Sequence, residues 1–305
     1  MLNRLASLLQ DPPPALACEL SEAGIAVART SPEVAIDFYP LEPGVLSVSP
    51  VHDNILRPEE FSRVVRSLAP VNGNRKRRDM ALILPDDSAR VAVLDFDKFP
   101  GDPKEQASLV RFRMKKAVPF DIEAATVSFW PQRGQGGKVD VAAVVTPREI
   151  VARYEAPFRE AGLNPGLVTT SSLAALELVG APGVAVLAKV TGRTLSVLVL
   201  ESGALKLMRC LELERASLPE ISAELYPTFV YVEDNLGAKA RQLILCGFGA
   251  IMDKARQRFQ DELGLEVEPL RSAHGVAGEH NAGLLGWVQS LARPALRASA
   301  GGREP

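Results

Sequence analysis

Short runs rich in apolar residues open the chain at 15–20, 24–29 and 34–38, with turn-formers at Ser21 to Ala23 and Thr30 to Pro32 between them. Such spacing predicts an antiparallel meander of three strands. The pattern then changes period. Phe61, Val64, Val65 and Leu68 recur as one face of a helix that starts at Pro58 and stops at Pro70. Two strands at 80–84 and 89–96 flank Pro85-Asp86-Asp87, and a helix follows at about 103–117. Strands at 126–130 and 139–145 lead to a helix at 147–161, which Gly162-Leu163-Asn164-Pro165 closes.

A second triple of strands, at 184–190, 194–200 and 205–213, repeats the opening meander. A helix at 219–236, a strand at 242–246, a Gly-Phe-Gly turn, a helix at 251–263, a strand at 265–268 and a helix at 281–291 complete the pattern. The last helix is expected to pack Leu284, Leu285, Val288 and Leu291 on one side. Two meanders, each followed by helices and further strands, predict a duplicated α/β core in place of one doubly wound sheet.

Composition narrows the function classes. With 305 residues, of which 47% are hydrophobic and 24% charged, the chain can bury a core for two lobes. The net charge of -2 provides no overall field for nucleic acid or an anionic membrane. Cys18, Cys210 and Cys246 are odd in number and far apart, which argues against a disulfide framework or a zinc site and fits a reducing, cytoplasmic setting. The most apolar uncharged run, 178–188, is well short of the roughly 20 residues that span a bilayer. Residues 1–13 read as a tail or a short amphipathic helix carrying Leu2, Leu5, Leu8 and Leu9, and residues 293–305 as a disordered tail. Arg75-Lys76-Arg77-Arg78 is the one dense basic run, either a solvated loop or a contact for anionic lipid. His52, His274 and His280 lack ligand spacing, so no metal site is expected.

Four stretches carry a resemblance. Ala81-Leu82-Ile83-Leu84-Pro85-Asp86, then Lys115-Lys116-Ala117-Val118-Pro119-Phe120-Asp121, then Val145-Thr146-Pro147-Arg148-Glu149-Ile150-Val151 with Ala161-Gly162-Leu163-Asn164-Pro165, are similar to the central part of PilM-type proteins of type IV pilus assembly. The likeness covers about residues 14–292. It implies a two-lobed actin-like fold of the sugar kinase and Hsp70 type, with a small α+β subdomain inserted in the first lobe. The expected divisions are 14–97 and 163–181 for the first lobe, 98–162 for the insertion and 182–292 for the second lobe. It also implies a cytoplasmic scaffold, peripheral on the inner membrane, that holds the N-terminal tail of a PilN-like membrane protein in a groove beside the insertion and works with a motor ATPase. A nucleotide-switched ATPase of the same machine and a GspL-like component of type II secretion are the alternatives.

In actin-like ATPases two Asp-x-Gly hairpins hold the phosphates and magnesium. The resemblance sets Glu19-Leu20-Ser21-Glu22 at the first hairpin and Lys189-Val190-Thr191 at the second, so both are altered. Gly247-Phe248-Gly249 stands at the adenosine loop, where Phe248 would crowd a base or ribose, and the preferred reading of the three residues is a tight strand-to-helix turn. Degenerate nucleotide chemistry, no catalytic residue and no cofactor are therefore expected, with Mg-ATP disfavoured. For the partner groove the candidates are Phe112, Lys116, Phe120, Phe129 and Trp130, a cluster of aromatics with one cation.

Overall fold

A computed structural model describes residues 14–31, 33–68, 78–180 and 182–291. The two tails and most of the basic run at 75–78 lie outside the described residues.

The first sheet begins with β1 (Leu16–Ser21), β2 (Gly24–Arg29) and β3 (Ala35–Pro40), a meander with antiparallel pairing. The chain then forms α1 (Pro58–Leu68) and returns as β4 (Arg78–Leu84), parallel to β1. Strand β8 (Leu163–Thr170) adds parallel to β4, giving the order β3-β2-β1-β4-β8. The second sheet repeats this plan with β9 (Val184–Thr191), β10 (Thr194–Glu201), β11 (Ala204–Glu212), β12 (Gln242–Cys246) and β13 (Glu266–Pro269). Its order is β11-β10-β9-β12-β13, with β9, β12 and β13 parallel. Identical strand order in the two sheets is the duplication that the repeated meander announces.

Between these sheets comes the insertion: β5 (Arg90–Phe96), α2 (Pro103–Met114), β6 (Ala125–Arg133) and β7 (Val139–Pro147). The three strands form their own antiparallel sheet in the order β5-β7-β6. Val110 and Met114 of α2 pack on it with Leu94, Phe96, Val141, Ala143 and Val145. The expected boundaries of 98 and 162 shift accordingly. Strand β5 pairs with β7, so it belongs to the insertion and not to the first lobe. Helix α3 (Arg148–Glu160) belongs to the first lobe, because Ile150, Tyr154 and Phe158 share its core with Phe61 and Val65 of α1.

Strand β8 was expected to be only a helix stop. Pro165 and Gly166 disguise it, but Pro165 is tolerated because β8 is the sheet's edge strand and a register shift opposite Met80 and Ala81 absorbs the irregularity. It leads into the short helix α4 (Ser171–Ala175). In the second lobe α5 (Leu218–Leu236) and α6 (Met252–Leu263) cover the outer face, a hairpin β14 (Arg271–Ser272) and β15 (Gly275–Val276) follows β13, and α7 (Ala282–Leu291) ends the described chain.

Helix α7 is buried on more than one side. Leu284, Trp287 and Val288 pack on the first sheet, whereas Ala282 and Leu285 join the core against the second. The expected one-sided packing of this helix is thus replaced by a position between the lobes. A Cβ on Gly286 would overlap the Ala174 carbonyl oxygen, so glycine there lets α7 press against α4.

Candidate functional site

The carboxyl-terminal ends of the central parallel strands β1, β4 and β9 converge on the cleft between the lobes, the usual place for a ligand in open α/β sheets. Here the cleft keeps a recess of about 160 Å³, walled by Glu19, Ser21, Glu22, Asp86, Lys189 and Thr191, and the side chains at its base bond to one another. Asp86, just after β4, and Lys189, near the end of β9, form an ion pair at 3.0 Å with both side chains 2% exposed. Asp86 also accepts hydrogen bonds from the Ser172 amide at 2.7 Å, the Ser172 hydroxyl at 2.5 Å and the Ser196 hydroxyl at 2.7 Å. The Lys189 ammonium donates to Thr191 Oγ1 at 2.9 Å as well. First-lobe and second-lobe elements are thereby joined by one buried network.

Glu19 of β1 lies beside this pair and is itself buried. It accepts hydrogen bonds from the Ser171 hydroxyl and, at 2.8 Å, from the Leu284 amide in the first turn of α7. Burial pushes the Glu19 carboxyl above its usual range, although Lys189, Ser171 and the Leu284 amide pull the other way. Burial acts on Asp86 in the same direction, but Lys189 and the donors from Ser172 and Ser196 outweigh it and hold that carboxyl below its usual range. Burial would lower Lys189, yet Asp86 and Glu19 together raise it. The arrangement is therefore one charged pair, Asp86 and Lys189, with Glu19 as the neighbouring group that takes up a proton most readily.

Polar groups of the two hairpin turns, which border the recess, are bonded as well. Ser21 donates to the Gly24 carbonyl oxygen at 3.1 Å, and Glu22 accepts from the Val48 amide at 2.8 Å. In the second turn the Gly192 amide donates to the Glu279 carboxylate at 2.7 Å, and Thr191 Oγ1 donates to the Glu279 carbonyl oxygen at 3.2 Å. Lys189, expected as a possible phosphate partner, has its ammonium committed to Asp86. The place of Phe248 differs from the expectation: its ring is buried in the second-lobe core, 6.2 Å from Phe259 and edge-on to it, and does not project into the cleft. Gly247, at φ +79°, would overlap the Val190 carbonyl oxygen if it carried a Cβ, so it fastens β12 to β9. Gly249 lies in the exposed turn beyond it.

Asp86 carries this network, and the sequence assigned it no role. Its signal is there in hindsight: an acidic residue directly after an apolar parallel strand and a proline. Ser172 and Ser196 offered no comparable mark, since serines are common and their meeting depends on the fold.

A second recess lies between the insertion and the first lobe. Its walls are Thr126, Ser128 and Trp130 of β6, Val144 and Thr146 of β7, and Val168, Thr169 and Thr170 of β8, and every side chain lining it is uncharged. Both β6 and β8 are edge strands. Thr170 is buried and its hydroxyl has no hydrogen-bond partner. Of the five aromatic and basic candidates, only Trp130 reaches this groove. Phe129 alternates to the opposite face and packs edge-on to Phe99 at 6.1 Å in the insertion core. Phe120 lines a separate recess with Val51, His52, Asp53 and Arg153. Phe112 and Lys116 are exposed.

The insertion is also tied to the second lobe. The Gln132 side-chain amide donates to the Leu205 carbonyl oxygen at 2.6 Å and accepts from its amide at 3.0 Å, while Asp140 and Lys206 form an ion pair at 2.8 Å. Burial pushes the thiols of Cys18, Cys210 and Cys246 up to about 12, which disfavours the thiolate. Among the described residues no group of His, Cys, Asp and Glu is placed to hold a metal ion, and no helix is long and apolar enough to cross a membrane.

No protein-family model matches the chain, and no curated protein matches it. Solved structures do. One described as a "PilM-PilN type IV pilus biogenesis complex" matches with a TM-score of 0.72 and 19% identity over 93% of this chain and 100% of that one. A protein of actin-like ATPase fold and unknown function from Bacteroides thetaiotaomicron matches with a TM-score of 0.51 and 12% identity, over 83% of this chain and 89% of that one. The cytoplasmic domain of EpsL, an inner-membrane component of the type II secretion system of Vibrio cholerae, gives 0.47 and 15%, over 75% and 80%. The fold is actin-like, with two lobes built on the same strand order and a three-stranded insertion.

Proposed function

We propose that this chain is a non-enzymatic scaffold of a type IV pilus assembly platform, which grips the N-terminal cytoplasmic tail of a PilN-like membrane protein in the groove between β6 and β8. The observation that carries the reading is the groove itself. Two edge strands face it and offer backbone groups to an extended peptide, and uncharged walls provide side-chain pockets, the combination that strand-like peptide recognition uses. The PilM-PilN complex among the matching structures supports the class of partner.

The interlobe cleft supports the non-enzymatic half of the proposal. Where an actin-like ATPase has an Asp-x-Gly hairpin in each lobe, this chain has a buried ion pair, a Glu22 carboxylate in the first turn that accepts from the Val48 amide, and a Gly192 amide in the second that donates to the Glu279 carboxylate. Bonded across the cleft by Asp86 and Lys189, the lobes act as a rigid body through which the grip on the tail connects the membrane protein to the motor ATPase of the machine. On this account the protein sits on the inner face of the membrane, held there by its partner.

Titration of a fluorescent peptide of the partner's tail tests the reading. Ser128→Arg, which places a long charged side chain on an exposed groove wall, and Trp130→Ala are expected to weaken binding at least tenfold. Unchanged affinity in both variants would rule out the groove.

A further inference from the structure

Helix α2 points to a second contact that goes beyond the groove. Phe112 is 72% exposed, the most exposed of the large apolar residues described. Three other aromatics of the insertion pack together: Phe96 lies 5.1 Å from Phe99, and Phe99 lies 6.1 Å from Phe129. Along the chain on either side of Phe112 the charge is one-signed. Residues 111–117 read Arg-Phe-Arg-Met-Lys-Lys-Ala, four cations and no carboxylate, in a chain whose net charge is -2.

Two of those cations are spoken for. Arg111 donates to the Ile122 carbonyl oxygen at 2.8 Å, and Arg113 is shared between Asp95 at 3.3 Å and the Phe96 ring at 5.1 Å. Lys115 and Lys116, in the turn that directly follows α2 three and four residues beyond Phe112, are exposed and form no ion pair among the described residues. Lys104 is exposed in the first turn of α2, and Glu105 beside it is the one carboxylate on the helix.

We infer that the exposed carboxyl-terminal end of α2, with the turn that follows it, is a docking surface for an anionic lipid bilayer, with Phe112 entering the interface and Lys115 and Lys116 meeting the headgroups. A deformable bilayer fits this chemistry better than a folded protein. An isolated ring standing out into solvent needs no complementary pocket in lipid, whereas a protein partner would have to supply one. The lysines act as hydrated point charges suited to headgroups, and the single ring gives no ladder on which nucleic-acid bases could stack. Two lysines and one ring bind weakly alone. Beside a tail that already tethers the protein to the membrane, the contact becomes intramolecular and fixes the orientation of the insertion against the bilayer.

Sedimentation with vesicles of phosphatidylcholine alone, or with about a third phosphatidylglycerol, tests the surface without any partner peptide, at lipid concentrations up to millimolar. The purified protein is expected to bind only the anionic vesicles and to release as salt rises. Phe112→Ala is expected to lower the partition coefficient about tenfold, and Lys115→Gln or Lys116→Gln about fivefold each. These exposed positions leave the fold intact, and all three variants are expected to keep their affinity for the tail peptide. No sedimentation with anionic vesicles, equal binding to both vesicle types, or unchanged binding by the variants would overturn the inference. Because peptide affinity is read separately, failure here is distinguishable from failure of the groove.

Discussion

Replacing Asp86 by asparagine removes one charge from the cleft and leaves Lys189 buried without its partner. Both side chains of the native pair are 2% exposed, so water cannot take over the ammonium. Removing one member of such a pair costs about 3–5 kcal/mol, a large share of the roughly 5–15 kcal/mol that holds a folded domain. Lys189→Met is expected to cost less, because three donors from Ser172 and Ser196 still satisfy Asp86. The double variant Asp86→Asn with Lys189→Met removes both charges and keeps those donors, so it is expected to come within about 2 kcal/mol of the wild type. Urea unfolding followed by the fluorescence of Trp130 and Trp287 measures all four proteins. A cost below about 1 kcal/mol for Asp86→Asn, the value of an exposed pair, or strict additivity in the double variant, would refute the view that this pair locks the lobes.

Glu19→Gln probes the second buried carboxyl through pH. Because burial raises the folded carboxyl above its unfolded value near 4.3, Glu19 contributes most to stability below that value and its contribution is lost as pH rises through the folded titration. The variant should therefore gain stability relative to wild type on going from about pH 4 to neutrality; a constant difference across that range in thermal unfolding would contradict the assignment. Millimolar Mg-ATP is expected to leave the melting temperature unchanged, whereas a saturable rise, which a ligand at a hundred times its dissociation constant produces by adding about 2.7 kcal/mol, would mean that the cleft opens for nucleotide. Gly247→Ala should lower the melting temperature by several degrees through overlap with the Val190 carbonyl oxygen, and an unaltered melt would show that β12 and β9 can separate there at little cost.

Most of the fold is legible in the order of apolar runs, because strand and helix periods record which face is buried. The two meanders are plain in the sequence since each strand carries a dense apolar run ended by a turn. Strand β8 escapes because Pro165 and Gly166 mimic a helix stop, and only its place at the sheet edge makes them acceptable. The edges of the insertion are misplaced for a related reason: β5 and α3 have the same local patterns whichever core they join, and pairing with β7 or packing on α1 is decided by distant residues.

The site was less legible than the fold. Glu19 and Lys189 could be singled out by their place in the altered hairpins, but Asp86, Ser172 and Ser196, separated by up to 110 positions, meet only in three dimensions. Phe248 illustrates the opposite error. A bulky residue between two glycines suggests obstruction of a ligand, yet the turn directs its ring into the core beside Phe259. Strand alternation likewise separates Phe129 from Trp130, although they are neighbours in sequence.

Site-specific photo-crosslinking in the living cell tests the scaffold account most directly. A benzoylphenylalanine placed at Ser128 reports on the groove, and one at Tyr226, an exposed position on α5 in the second lobe, serves as the reference. The account predicts an adduct from Ser128, and none from Tyr226, that mass spectrometry maps to the N-terminal cytoplasmic tail of a single-span membrane protein of the pilus platform. No adduct at Ser128, or the same adducts from both positions, would contradict it.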